Sequence, residues 1–372
     1  MLKFHPLTLM ERADCAEDAV SLSFAVPPQL RDVYRFEAGQ HIAVRMGDGE
    51  RRTYSIVSPQ GDATLRIGVR LQPDGRVSRF LTHRLAVGES LDVLTPNGSF
   101  HTRITPERAG RFIAFAAGSG ITSVLSIAST VLAEEPLSRF MLFYGNRTAA
   151  STMFLEEVMA LKNRWPDRFA AHFLMSREPQ DIALLNGRID GARVREFARV
   201  FFDPAAVDEF FICGPGSMND DVAAALRELG ATGRIHTEYF RVAEVPAAPA
   251  APAAAPASVS AAAPAPTPEL AAAGVAAGVG TRVTVLMDGR RRSFAMAAHD
   301  TRTVLDAAAE AGIELPFSCR AGVCSTCRAR VLKGEVVMEQ NHALEDWELA
   351  EGFVLCCQAH PTTTELELTY DE

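Results

Sequence analysis

The sequence predicts a multidomain chain: an antiparallel β-barrel, then an open parallel α/β sheet, then a small α+β domain. Three observations predict this. Residues 1–105 carry short, evenly spaced apolar runs divided by Gly, Pro and Asp turns, the pattern of an antiparallel barrel. Residues 106–244 alternate strand-like and helix-like runs, which implies a parallel sheet. Residues 245–281 are mainly Ala and Pro, with Glu269 the only charge in 246–280, and they separate residues 282–372 from the rest.

The barrel strands are SLSFAV (from Ser21), HIAVRM (from His41), RTYSIVS (from Arg52), LRIGVRL (from Leu65) and SLDVLTP (from Ser90). In the next region RFIAFAAG is a buried strand and SGITSVLSIASTVLAEE a helix. RFMLFYG is a strand and MFLEEVMALKNRW a helix. RFAAHFLM and DEFFICG are strands, and SMNDDVAAALRELG is a helix closed by Gly230. The proline content of the Ala/Pro segment excludes both a membrane helix and a regular soluble helix. As a flexible linker, its roughly 35 residues would span about 30–35 Å root-mean-square. Beyond it, TRVTVLMDG and RRSFAMAA form a hairpin around Asp288-Gly289, and TVLDAAAEAG is a helix ending at Gly312.

The bulk numbers bound the function. The chain has 372 residues and a net charge of −9, without the clustered Lys and Arg that nucleic acid requires. Its N-terminus shows no signal-peptide run, and no stretch outside the Ala/Pro segment has the length and apolarity of a membrane span. The expectation is a cytoplasmic protein with no membrane partner. Five of seven Cys lie after residue 318, which points to metal ligation rather than disulfides.

Cys319-x4-Cys324-x2-Cys327, with a fourth Cys about thirty residues on, is plant-type [2Fe–2S] spacing. Two irons need four thiolates, and a tight loop supplies three, with Gly322 letting the backbone approach. The alternative, zinc, favours paired C-x2-C halves, and no second half exists. Spacing leaves Cys356 and Cys357 both open as the fourth ligand. Residues 282–372 resemble a plant-type ferredoxin of the β-grasp fold, and that register implies Cys357.

Arg52-Thr53-Tyr54-Ser55 lies on a strand and alone could be an amphipathic strand with a buried Tyr. Gly75-Arg76-Val77-Ser78 opens a helix whose N–H groups could hold a phosphate. Gly118-Ser119-Gly120-Ile121-Thr122 joins a strand to a helix, a place where glycines let the backbone meet a pyrophosphate, or a tight turn only. Cys213-Gly214-Pro215-x-x-Met218 ends a strand. In this order the segments resemble the ferredoxin–NADP reductase superfamily, except that Ser123 stands where that superfamily usually has Pro. The resemblance implies a flavin, FAD before FMN, with Tyr54 against its ring and Ser55 near its reactive nitrogen. It implies Arg52, Gly75, Val77 and Ser78 at the pyrophosphate, and Gly118, Gly120 and Thr122 at the nicotinamide cofactor. It also implies Cys213, Gly214, Pro215 and Met218 beside the nicotinamide. Arg147 with Ser176-Arg177 matches the 2′-phosphate position of NADPH-dependent relatives, so NADPH is expected before NADH; Arg suits phosphate through its planar fork.

The order barrel, nucleotide domain, linker, ferredoxin resembles the reductase components of phenylacetyl-CoA epoxidase, a multicomponent di-iron oxygenase system. That resemblance implies hydride transfer from NAD(P)H to FAD at Tyr54, Ser55 and Cys213, then single electrons through the cluster to the oxygenase. The alternatives are a reductase of another aromatic-ring or alkane oxygenase, with FAD or FMN, and a passive ferredoxin-type carrier. Residues 339–372 contain nine acids and no Lys or Arg, a solvated face or a surface for a basic partner.

Overall fold

The computed structural model describes residues 3–240, 258–260, 280–298 and 300–371, which fall into two compact units. In the first, strands β1 (Phe4–Ala16), β2 (Ala19–Ala25), β3 (His41–Arg45), β4 (Arg51–Ser55), β5 (Thr64–Arg70) and β6 (Ser90–Leu94) form an antiparallel sheet in the order β4-β3-β6-β1-β2-β5. An Ile56–Ile67 bridge and the Val57 N–H to Arg66 carbonyl bond of 2.7 Å join its two edges, closing the barrel. Alternate residues such as Leu22, Phe24, Ile42, Val44, Ile67 and Val69 fill it. Helix α1 (Arg76–His83) packs Val77 and Leu81 into that core.

The same unit continues into a parallel sheet. Its strands are β7 (Arg111–Ala117), β8 (Arg139–Asn146), β9 (Phe169–Met175), β10 (Glu209–Gly214) and β11 (Arg234–Tyr239), in the order β11-β10-β7-β8-β9. Helices α2 (Ile121–Glu134), α3 (Leu155–Arg164), α4 (Gly191–Val200) and α5 (Gly216–Glu228) connect them. Phe112, Phe140 and Phe211 pack on one face and Phe115, Phe143 and Phe210 on the other, as a sheet buried on both faces requires. One stripe of α2 carries hydroxyls at 3- and 4-residue spacing. Ser126 donates to the Ser58 carbonyl at 2.6 Å, and Thr130 accepts from the Gln60 N–H at 2.9 Å, fastening the helix to the barrel.

In the second unit, β12 (Ser258–Ser260), β16 (Glu335–Met338) and β18 (Ala359–Pro361) form one small sheet. The larger sheet holds β13 (Thr281–Met287), β14 (Arg290–Met296), β15 (Arg328–Lys333), β17 (Phe353–Leu355) and β19 (Glu365–Thr369), in the order β14-β13-β19-β15-β17. Helix α6 (Val304–Glu310) buries Val304, Leu305, Ala307 and Ala308 in the core, and α7 (Asp346–Ala350) is one short turn. Asp288 and Gly289 both have positive φ (56° and 69°), as the predicted two-residue hairpin turn demands. The linker expectation for 245–281 lies almost wholly outside the described residues; Ser258–Ser260 pairs antiparallel with Glu335–Val337. Among the described residues no helix is long and apolar enough to cross a membrane.

Candidate active site and cluster site

Ligands of open parallel sheets bind beyond the carboxyl ends of the strands. A groove of the first unit, about 1130 Å³, opens at the opposite end, beside Arg111, Glu209 and Arg234, and so lies away from where the chemistry is expected. At the carboxyl ends the predicted motifs meet. β7 and β10 pair Ala116 with Cys213, which sets the Gly118–Gly120 turn against the Cys213-Gly214 turn. A Cβ on Gly120 would lie 1.9 Å from the Cys213 carbonyl oxygen, so glycine is required there by contact between two turns as well as by any phosphate. Gly118 has φ 56° and its carbonyl accepts from the Tyr144 hydroxyl at 2.9 Å. Thr122 closes the turn by donating to the Ser119 carbonyl at 2.9 Å. Pro215 caps α5, and Met218 packs on Gly214.

β10 and β11 pair Cys213 with Glu238. The Cys213 thiol donates to Glu238 Oε2 at 3.5 Å, and the Ser55 hydroxyl, from the barrel, donates to the same oxygen at 3.5 Å. Asn219 on α5 fixes the strand by donating to the Glu238 carbonyl at 2.9 Å. Burial pushes the Glu238 carboxyl up to about 7 against the opposing pull of Ser123, Cys213 and Ser55, and pushes the Cys213 thiol well up. Sequence reasoning missed Glu238 because it missed β11 itself. The signal was present: after a helix ending at Gly230, Arg-Ile-His-Thr-Glu-Tyr is the strand an alternating pattern calls for.

Tyr54 is a half-buried ring on β4, its phenol pushed up by burial. Arg52 and Arg76 both reach Glu50, Arg52 at 2.7 Å and Arg76 at 2.7 Å, so two guanidinium groups gather beside the α1 N-terminus. Arg76 went unselected in the sequence although it lies inside the helix-opening motif. The Ser78 hydroxyl is spent on its own turn, donating to the Gly75 carbonyl at 3.0 Å and accepting from Gln72 N–H at 3.1 Å, and Val77 is core. Any phosphate contact from Gly75, Val77 and Ser78 is therefore a backbone contact.

On the other side of Gly118, Asn146 ends β8 with both amide atoms buried and without a protein partner, an orphaned polar group where a ligand would satisfy it. Arg147 and Arg177 follow, joined by the Arg177 N–H to Arg147 carbonyl bond of 2.9 Å, and Ser176 donates to the Asn146 carbonyl at 3.2 Å. The Gly187 N–H bonds the Met175 carbonyl at 2.8 Å, bringing exposed Arg188, another cation missed in the sequence, to this end of the sheet. These residues fit a nicotinamide dinucleotide.

In the second unit the cysteines form two pairs. Cys319 and Cys324 hydrogen-bond one another, as do Cys327 and Cys357. Backbone N–H groups point at sulfur: Cys319 N to Cys324 Sγ at 3.5 Å, and Ala321 N to Cys319 Sγ at 3.3 Å. Gly322 N–H and the Gln358 side chain (3.6 Å) face Cys357 Sγ. In each pair one thiol is driven toward thiolate by its neighbour's proton, Cys319 down to about 6 and Cys357 also down. Cys356 is fully buried, and its thiol faces Tyr370, in the core. Two pairs suit two metal centres; among the described residues no three His, Cys, Asp or Glu are arranged to hold a single ion. The buried Ser318 hydroxyl beside Cys319 has no protein partner. The donor set fits a binuclear cluster. The Cys15 thiol is pushed up to about 12 by burial.

The acidic tail is less open than the sequence suggested. Glu345 and Glu348 form a capping box on α7, and Glu348 is fully buried and paired with Arg328. Glu367 pairs with Arg291 at 3.0 Å, Glu365 with Lys333, Glu339 lies 2.9 Å from His360, and Asp371 accepts from Asp288 and Gly289 N–H.

Residues 287–362 match a 2Fe-2S iron-sulfur cluster binding domain, and residues 115–224 an oxidoreductase NAD-binding domain. The chain is 39% identical to a component of the 1,2-phenylacetyl-CoA epoxidase of Escherichia coli (strain K12), over 100% of this chain and 99% of the relative. It is 31% identical to the ferredoxin reductase component of 3-ketosteroid-9-alpha-monooxygenase of Rhodococcus rhodochrous, over 98% of this chain and 96% of the relative. Phthalate dioxygenase reductase, a modular structure for electron transfer from pyridine nucleotides to [2Fe-2S], is similar in fold (TM-score 0.58, 24% identity, 98% of each chain).

Proposed function

The chain belongs to the family of that phenylacetyl-CoA epoxidase component, oxygenase reductases with an NAD-binding and a 2Fe-2S domain, and we propose that it passes electrons from NADPH through FAD to a di-iron oxygenase acting on phenylacetyl-CoA. The observation that carries this reading is the joint presence of paired thiols in one unit and the Ser55–Glu238–Cys213 cluster in the other, in a chain similar end to end to that component.

When bound, the flavin takes two electrons as a hydride and releases them singly, which the cluster relays. Tyr54 offers its ring to the flavin, and Arg52 with Arg76 offers charge to the pyrophosphate. Ser55, Cys213 and Glu238 present hydroxyl, thiol and carboxyl groups where nicotinamide and flavin would meet, and the burial of these three groups excludes water. Gly118, Gly120 and Thr122 shape the turn for the coenzyme, and Gly214, Pro215 and Met218 shape its neighbour. Arg147, Ser176 and Arg177 serve the 2′-phosphate. Cys319, Cys324, Cys327 and Cys357 ligate the cluster.

The test is anaerobic NADPH titration of the purified protein, followed by addition of candidate oxygenases. Bleaching of flavin and cluster bands, then NADPH-dependent turnover of phenylacetyl-CoA only with its own oxygenase, is expected. Arg177→Ala should raise the KM for NADPH about 10-fold or more, from loss of a charge-assisted bond, and leave NADH nearly unchanged. Faster delivery to a steroid or aromatic-ring oxygenase would move the chain to the other branch of its relatives.

A further inference from the structure

We propose that Asn146 holds the 3′-hydroxyl of the coenzyme's adenosine ribose. This rests on the reading above that Arg147 and Arg177 take the 2′-phosphate, and it adds a residue and a ligand atom that the reading leaves open.

Asn146 is the last residue of β8 and is 8% exposed. Both polar atoms of its amide are buried, and neither has a hydrogen-bond partner among the described residues. An unpaired buried amide is costly, so one kept at a strand end points to a ligand that pairs with it. The backbone beneath it is fixed, since the Asn146 carbonyl accepts from the Ser176 N–H at 2.9 Å and from the Ser176 hydroxyl at 3.2 Å. Residues two apart on a strand share a face, so Asn146 follows Tyr144 on the side of the Gly118 turn. The Tyr144 hydroxyl lies toward the amide without closing a bond to it, its proton being in reach of the Gly118 carbonyl at 2.9 Å and the Met153 carbonyl at 3.1 Å. The turn carries a cation, because a Cβ on Gly118 would lie 3.0 Å from Arg70 Nη1, and that suits a pyrophosphate. Beyond Asn146 stand exposed Arg147 and Arg177, joined by the Arg177 N–H to Arg147 carbonyl bond of 2.9 Å. The amide thus lies between a place for the pyrophosphate and a place for the 2′-phosphate, and the adenosine ribose is what joins those two groups.

The chemistry of the amide selects the atom. A side-chain amide donates through nitrogen and accepts through oxygen. A phosphate only accepts and would leave Oδ1 bare, whereas a ribose hydroxyl does both. In NADPH the 2′-oxygen carries the phosphate, so the hydroxyl that remains is the 3′, which NADH shares. The nicotinamide carboxamide also donates and accepts, but Cys213 lies on β10, two strands from β8 and roughly 10 Å across the sheet. In many dinucleotide-binding sheets an acid at a strand end holds the 2′-hydroxyl. A carboxylate at Asn146 would repel a 2′-phosphate beside Arg147 and Arg177, and a neutral amide does not.

The experiment is calorimetric titration of the full-length protein, carrying flavin and cluster, with ADP, 3′-deoxy-ADP and adenosine 2′,5′-bisphosphate. The proteins are wild type, Asn146→Ala, Asn146→Asp and Arg177→Ala. Wild type should bind ADP about 5-fold more tightly than 3′-deoxy-ADP, the size of one neutral hydrogen bond, and Asn146→Ala should bind the two alike. Asn146→Asp has nearly the same shape and still accepts from a hydroxyl. It should keep a preference for ADP and lose affinity for the 2′,5′-bisphosphate through its charge. In steady state Asn146→Ala should raise the KM for NADPH and for NADH by the same factor, about 5-fold. A wild type indifferent to the 3′-hydroxyl overturns the proposal, whether or not the variants fold, and so does an Asn146→Ala protein that keeps the full preference. If Arg177→Ala weakens ADP as much as the 2′,5′-bisphosphate, the 2′-phosphate reading fails first and takes the placement of the ribose with it.

Discussion

Glu238 is an acid in a place that resists its charge, and that has a measurable consequence for stability. Its carboxyl is raised from an ordinary 4.5 to about 7. As pH climbs from 4.5 to 7 the unfolded chain ionises first and binds fewer protons than the folded one, so stability falls across that window and the loss is complete above it. Glu238→Gln, which cannot ionise, should therefore melt like wild type near pH 4.5 and be more stable at pH 8, by about 3 kcal/mol. Calorimetry at both pH values checks this; equal differences at the two would mean the acid is not buried in solution. The adjacent cysteines give a second test. Cys357→Ser should lose or strongly perturb the cluster spectrum, because Cys357 alone of the two pairs with Cys327. Cys356→Ser should keep the spectrum and lose some stability in the core; the reverse outcome would shift the ligand register by one. The cysteines, Ser55 and Cys213 were legible because their chemistry sits in short motifs, in one loop and at the ends of β4 and β10. Glu238 and Arg188 were not, because a lone charged residue on a strand or loop carries no spacing that marks it.

At the scale of elements, what the sequence revealed tracked how regular each burial pattern is. Four strands of the parallel sheet, β7 to β10, are continuous apolar runs and were plain; β11, whose Arg-Ile-His-Thr-Glu-Tyr alternates, was not. β1, thirteen residues long, was not read, since two register shifts against β2, near Leu9/Glu11 and Asp14/Ala16, break its alternation around a polar stretch. α4 was missed too, although Asp190 caps it by accepting from the Arg193 N–H at 2.8 Å. α7 shows the opposite error, in which composition misled. Its acids look like one solvated face, yet Glu348 is buried, bonds Arg328 and reaches back to the Glu345 N–H at 3.0 Å. Glu348→Ala should therefore cost the ferredoxin unit about 2–4 kcal/mol, as removal of a cap and one partner of a buried ion pair. Asp346→Asn, on the exposed side of the same turn, should cost under about 0.5 kcal/mol. Thermal unfolding followed by the cluster absorbance separates them. Any salt-sensitive docking by this turn has Asp346 and Glu351 to work with, not Glu348.

At the scale of the whole molecule, the chain holds two units, each with its own hydrophobic core, and the chemistry divides along the same line. The nicotinamide and flavin residues all lie before residue 241 and the four thiols after residue 318. Two-electron chemistry should therefore survive separation, and one-electron delivery should not. Residues 1–241 expressed alone should oxidise NADPH with ferricyanide at close to the full-length rate, since that acceptor can take electrons from the flavin directly. Reduction of a protein acceptor that depends on the cluster should collapse, and should return in proportion to added residues 280–372. The covalent link matters through effective concentration, of order 1 mM for a short connection. Supplying the second unit at 10 μM, roughly one hundredth of that, should restore about 1% of the tethered rate while binding is far from saturation. Full recovery at that concentration would mean that the two units bind each other tightly without the link, so that the segment joining them is a spacer rather than the device that keeps the cluster supplied. Full loss of ferricyanide activity in residues 1–241 would mean instead that the first unit does not complete its flavin site alone.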